Sequence, residues 1–426
     1  MNPKLWENIG RILRTSYVEH SFWMVSGQVS QAAVAFLANV ILVRYLFPEE
    51  FGRFALIQAN VGLAAATFGL RINIILIKAS GEEMQTGKMD QYLSALVGET
   101  LLVCLGSLTL LWLFDLWNVW AMVLLLNVLV DPWINAQKVL YERNFHYKNL
   151  SLIESGAHLF SHLFSVIGVV GGLGPAVLYL RGWVQTVGHL GGLAHVGGLQ
   201  SYRVRWLRYG EWKSVFLQIR GYWLEGWLEQ SFERLVIMFL GLLEGHQMTG
   251  YFFQARRLAM TPHQLFEPVF SRIMFNFLSH RVSAVRGIQV LQQVLKVQIP
   301  LLVLIAAVLT VGADPVIPWV FGPGWETVVP LFQAMAGLLA GITPFYTLKA
   351  YFVSQNNMWP FIAFGQSFQY GALGAALLIA VFLSLSPAHG LALGLSAGYL
   401  GGLILLLVIL RFSRDKFEEE ATTVKE

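Results

Sequence analysis

Apolar runs long enough to cross a bilayer recur along this chain from Ser21 to Leu410, and they restrict its fold more than any other feature. A helical crossing of the hydrocarbon core takes about 20 largely apolar residues. The runs reach that length repeatedly and lack the strict alternation that a membrane β-barrel needs. Only 13% of the 426 residues are charged and the mean hydropathy is +0.58. An ordinary soluble domain carries roughly 25% charged residues, so a water-facing surface could not be covered. The expected fold is an all-α polytopic membrane protein.

Twelve spans are predicted. Six run Ser21–Leu46, Gly52–Ile77, Tyr92–Phe114, Trp117–Asn135, Ser151–Gly172 and Gly174–Gly198. Six more run Val215–Leu242, Gly250–Phe275, Val294–Phe321, Thr327–Phe352, Trp359–Ser384 and Pro387–Leu410. The basic stretch Gln200–Lys213 separates the two sets. The expected organisation is an amphipathic interfacial helix over 1–20, an N-terminal six-helix half over 21–208, a C-terminal half over 209–414 and a charged cytoplasmic tail over 415–426. In the first segment Leu5, Trp6, Ile9, Ile12 and Leu13 form one apolar stripe opposite Lys4, Arg11 and Arg14, as in a helix lying on the membrane surface. No cleavable signal peptide is expected there.

Lysine and arginine orient the chain, because cytoplasmic loops carry the excess. Of the 29, 22 fall on one side of the predicted spans, only Arg44 and Arg53 fall on the other, and five lie within spans. Both termini are therefore expected in the cytoplasm. Phe51-Gly52-Arg53-Phe54 after the first span and Thr249-Gly250-Tyr251-Phe252 after the seventh form a weak internal repeat. Two parallel halves around a central cavity are a transporter architecture. Ten of the 14 prolines lie from Pro262 onward, and Pro262 or Pro344 is the expected site of a working bend.

Three stretches resemble the polysaccharide flippases of the multidrug, oligosaccharidyl-lipid and polysaccharide exporter superfamily. The first runs from Asn39 through Arg44, Pro48, Glu49, Glu50, Phe51 and Gly52. The second runs from Glu233-Arg234 through Gly241 and Gly250 to Arg256-Arg257 and Pro262. The third is Phe321-Gly322-Pro323-Gly324-Trp325 through Pro330. The resemblance implies a flippase, not an enzyme, that moves a polyprenyl-pyrophosphate-linked oligosaccharide across a bacterial plasma (inner) membrane by alternating access.

Arg71, Arg181, Arg234, Arg256 and Arg257 lie within predicted spans. A mid-depth arginine costs about 2.5–3.5 kcal/mol to insert, so they must face a cavity or counter-charges. Arg71, Arg234, Arg256 and Arg257 are the substrate-binding candidates, since guanidinium suits bidentate phosphate contacts. The structural alternative pairs arginines with Glu99, Asp131, Glu154 or Glu233. Glu225, Glu229 and Glu233 repeat at i, i+4 and i+8 and form one acidic stripe. Glu99, Asp131, Glu229 and Glu233 are thus candidates for ion pairing or for coupling to H+ or Na+.

Glu154, His158 and His162 make a second stripe, which lacks the ligands and motif order of a zinc site. No metal or cofactor is expected. The tryptophans and tyrosines at Trp112, Trp117, Trp120, Tyr202, Trp206, Tyr209 and Trp212 read as an aromatic belt in contact with membrane lipids. The single cysteine, Cys104, excludes an intramolecular disulfide. With no Walker loop, dinucleotide fingerprint or nucleophile motif, and with the net charge of +4 assigned to loops, nucleic acid is not an expected partner. Two other classes compete with the flippase: a cation-coupled multidrug exporter of the same superfamily, and a membrane polysaccharide polymerase or ligase.

Overall fold

The computed structural model describes residues 16–78, 88–142, 147–200, 203–278, 284–355 and 357–423. Among them there are helices and no strand. The helices are α1 (Ser16–Tyr45), α2 (Pro48–Phe68), α3 (Ile72–Lys78), α4 (Lys88–Leu113), α5 (Val119–Glu142), α6 (Tyr147–Val170) and α7 (Ala176–His195). They continue as α8 (Tyr209–Leu278), α9 (Ala284–Val311), α10 (Ala313–Phe321), α11 (Val328–Ala334) and α12 (Ala336–Ser354). A π-helical turn (Phe361–Gln366) then leads into α13 (Ser367–Phe382), and α14 (Pro387–Thr423) follows. The expected interfacial helix over 1–20 lies largely outside the described residues, as do the last three residues of the expected tail over 415–426.

Among the described residues six helices are long and apolar enough to span a bilayer, and α11 with α12, bent by 45°, makes a seventh. The others sit at predicted spans, so the helix order is consistent with twelve. Length and apolarity alone miss them for physical reasons: α2 and α3 are one predicted span broken at residues 69–71, and α8 carries ionisable side chains along its length. Bulky apolar residues such as Phe160, Ile167, Val311, Leu378 and Phe382 are exposed, an inside-out surface suited to lipid.

Local sequence explains the helix ends. Pro48 stands at the first position of α2, where its missing N–H costs nothing, and Glu50 accepts from the Phe47 N–H at 2.8 Å as half of a capping box. Asn118 caps α5 by accepting from the Ala121 N–H at 2.9 Å. The long α8 is interrupted at Gly245, whose φ of 75° and ψ of −170° are open to glycine. The breaks in this part of the chain fall at Gly245 and between α11 and α12, whereas helix continues through Pro262 and Pro344. Proline's fixed φ is compatible with helix and removes one hydrogen bond; Gly245 takes dihedrals that no helix has.

The chain divides into two compact units. Unit 1 holds α1 and Ile57–Ser231; unit 2 holds Leu46–Leu56 and the chain from Phe232. In unit 1, α6 packs on α1 and α7, and α5 on α7 and α4. Ile72, Leu76, Leu93, Leu96, Ala136 and Val215 form a buried cluster that seats α3. In unit 2, α14 packs on α12 and α13, and α12 on α9. There the two repeat turns meet with pseudo-symmetry. A Cβ on Gly52 would lie 1.7 Å from the His246 carbonyl oxygen, and one on Gly250 would lie 1.8 Å from that of Pro48. Gly250 stands 198 positions after Gly52, and His246 stands 198 positions after Pro48. Trp325 takes Phe51, Tyr251 and Phe321 edge-on at 5.7–5.8 Å. The three stretches that carry the family resemblance thus converge in packing.

Candidate functional site: charged clusters within the two units

In unit 1 the site is built on a broken helix. Between α2 and α3 the chain leaves helical geometry at Gly69, Leu70 and Arg71, and Arg71 has φ 52°. That conformation is uncommon for a residue with a side chain, and such strain is found where neighbours over-determine the backbone. The break orphans backbone groups that have no water to turn to in lipid. The indole N–H of Trp223 donates to the Thr67 carbonyl at 3.0 Å, which in continuous helix would have accepted from residue 71. The Leu70 N–H donates to Glu99. Trp227 donates to the Thr67 hydroxyl at 3.3 Å.

The strained turn aims Arg71 at α8. Its guanidinium lies 3.1 Å from Glu225 and 3.6 Å from Glu229. It rests on Gly226, where an added Cβ would come within 2.0 Å of Cζ. Glu225 is buried in this contact. Arg71, Asn73, Glu99, Asn135, Trp223 and Gly226 line a cavity of about 190 Å³. Small-molecule sites usually measure about 300–1,000 Å³, so this one has the size of a subsite for a single charged group. Asn73 Oδ1 and Glu99 Oε2 are buried without a hydrogen-bond partner among the described residues.

Unit 2 holds a second cluster. Arg256 forms a close ion pair with Glu233, and Tyr346 and Tyr399 also act on its charge. Arg234 has no hydrogen bond or ion pair among the described residues, although the charges of Glu233 and Arg256 act on it. Arg256 thus takes the Glu233 carboxylate, and Arg234 lies in the field of both. Arg257 is half-buried beside them. Nearby, His263 stacks on Tyr346 with ring centroids 5.2 Å apart and meets Thr343 at 3.2 Å.

The remaining candidates fall elsewhere. Asp131 accepts from Thr186 at 2.9 Å within a network that includes Asn127. Arg181 has a buried nitrogen with no partner among the described residues. Lys138, expected among the loop charges, lies inside α5 and pairs with Glu154 at 2.7 Å, because α5 extends to Glu142, beyond the predicted end at Asn135. Among the described residues no group of three or more His, Cys, Asp or Glu is placed to hold a metal ion. Sequence reading missed Gly226 and Trp223; the signal was a glycine set between Glu225 and Glu229 in a helix with tryptophans at 223 and 227.

Fold and site together define a class: a multi-pass helical membrane protein with charge clusters among its apolar helices. Residues 41–330 match the family described as "Polysaccharide biosynthesis protein", and the chain belongs to that family. No curated relative matches the sequence itself. Among solved structures the chain is similar to the lipid II flippase MurJ in an inward closed conformation, with TM-score 0.69, 14% identity, and 92% of this chain and 87% of that one covered. It is also similar to an inward-facing multidrug resistance MATE transporter of the MOP superfamily, with TM-score 0.65, 14% identity, and coverage of 91% and 96%. A MOP superfamily transporter from Pyrococcus furiosus matches with TM-score 0.61, 12% identity, and coverage of 96% and 98%. The fold is that of the superfamily.

Proposed function

We propose that this protein is a flippase that carries a polyprenyl-pyrophosphate-linked oligosaccharide across a bacterial plasma membrane for polysaccharide biosynthesis, by alternating access and with both termini in the cytoplasm. The observation that carries the reading is the pair of arginine clusters held within the membrane in a chain of the polysaccharide biosynthesis family. An anionic pyrophosphate is the ligand that guanidinium groups at such depth accommodate. Arg71 is held by carboxylates beside a cavity of single-group size, and Arg234 lacks an ion-pair partner among the described residues. Each would meet a phosphate, with the sugars held elsewhere. Transport of the lipid-linked sugar, without chemistry on it, is part of this reading.

Glu99 favours a second reading, a cation-coupled multidrug exporter: it brings to the cavity a buried carboxylate oxygen without a hydrogen-bond partner among the described residues. One experiment separates the two. In a strain lacking this protein, lipid-linked oligosaccharide should accumulate on the cytoplasmic leaflet; wild-type protein should clear it, and Arg71→Ala or Arg234→Ala protein of equal abundance should not. Normal export without the protein, together with lost resistance to cationic drugs, would decide for the exporter.

A further inference from the structure

Unit 1 contains a second set of buried ionisable groups that the arginine clusters do not use. Glu154, His158 and His162 occupy one face of α6, spanning eight residues and so about 12 Å of depth at 1.5 Å per residue. The rings of His158 and His162 are in contact, centroids 4.5 Å apart and planes tilted by 48°. Opposite them α7 approaches closely, because Gly188 abuts Ala157 and Gly192 abuts Ile153. That approach brings His189 within reach of the charges of Lys138, Glu154 and His158. His189 is 7% exposed, and its Nε2 has no hydrogen-bond partner among the described residues. From α5 come Lys138, paired with Glu154 at 2.7 Å, and Asp131. From α1 comes, among the described residues, the uncharged Gln31, donating to Ser155 at 3.2 Å.

We propose that His158, His162 and His189, together with the Lys138–Glu154 ion pair, form a proton-binding site within unit 1, and that a bound proton exchanges the partners of Glu154 and Lys138. Imidazole is the side chain whose charge changes near neutral pH. Two rings in contact cannot both be cationic without strong repulsion, so the pair holds one added proton. With the ion pair closed, the cluster carries no net charge. A proton taken onto an imidazole nitrogen adds one positive charge in a region of low dielectric, and Glu154 is the carboxylate on hand to meet it. Lys138 is then released toward Asp131, seven residues earlier on the same face of α5, whose charge it already influences. Glu154 is about one-third exposed while His162 is 3% exposed, so the cluster runs from a partly open carboxylate to a buried imidazole. Metal is a poorer ligand here, since no three ligating groups among the described residues converge.

The site is tested by ring 15N spectra of histidine-labelled full-length protein in lipid nanodiscs, titrated between about pH 4 and pH 8, with His158→Gln and His189→Gln assigning the signals. One protonation event should be shared among the cluster rings. Its proton affinity should fall about tenfold in Glu154→Gln, which removes the counter-charge, and rise about tenfold in Lys138→Gln, which removes the competing cation. If Lys138→Gln fails to fold, the wild-type and Glu154→Gln titrations decide by themselves. Cluster rings that all stay neutral across the range, or a midpoint unmoved by Glu154→Gln, overturn the proposal. No transported substrate enters the measurement, so its outcome is independent of the flippase reading.

Discussion

Gly226 and Arg71 show how a single missing side chain shapes the unit 1 site. The three atoms nearest to a methyl group at position 226 would all belong to the flexible guanidinium of Arg71. Gly226→Ala is therefore expected to accumulate as well as wild type while displacing Arg71 from Glu225 and Glu229. Export should fall at least about tenfold, the factor that 1.4 kcal/mol of lost contact gives, as measured by polymer at the cell surface against protein in the membrane. Gly52 and Gly250 make the opposite case, because each touches backbone that cannot step aside. Alanine at either should cost about 1–3 kcal/mol or more, lowering the unfolding temperature of purified protein and its abundance together. Equal stability of Gly52→Ala and wild type would refute the interlock.

The gap between α2 and α3 is the element on which the unit 1 site depends. Trp223→Phe keeps the ring but leaves the Thr67 carbonyl unmet, a loss of about 1–3 kcal/mol for a buried group, readable as a drop in thermal stability. Outside the membrane, the segment entering α8 is tied by Arg205, which grips Glu211 through contacts of 3.2 and 2.5 Å. This hydrogen bond, with the Arg208 N–H, holds the Glu211 carboxyl below its ordinary value. A depressed carboxylate lends stability that is complete above the unfolded value near 4.3 and is lost as pH falls through the folded one. The protection factors of the Arg205–Glu211 amides, which remove the intrinsic pH dependence of exchange, should thus be unchanged from pH 7 to about pH 5 and fall only below about pH 4. Arg205→Ala should move that onset upward. Identical profiles for the two proteins would show that the contact does not order the segment.

At the scale of the whole molecule, the asymmetry of 22 basic residues against 2 predicts both termini in the cytoplasm. A reporter active only outside the membrane, fused after Glu426, should be silent, whereas the same reporter at Phe47 should be active. Activity at Glu426 would overturn the span count along with the orientation. Both arginine clusters lie on or against α8, which runs through Ser231 and Phe232 where the two units divide.

Fold class, helix order and family were legible without coordinates, because each is written in local features: apolar length, turn residues and the motifs around Gly52, Gly250 and Trp325. The presence of intramembrane arginines was equally plain, since charge in an apolar run needs no partner to be noticed. Which carboxylate each arginine meets was a different matter. Arg71 pairs with Glu225 and Glu229 from more than 150 positions away, while Glu233 meets Arg256 across a break at Gly245 and leaves its neighbour Arg234 without an ion pair among the described residues. Lys138 looked like a loop charge until α5 proved to run on to Glu142. Hydropathy and motif depend on neighbours along the chain, but the partner of a buried charge is set by helices packed at distances only the tertiary structure decides.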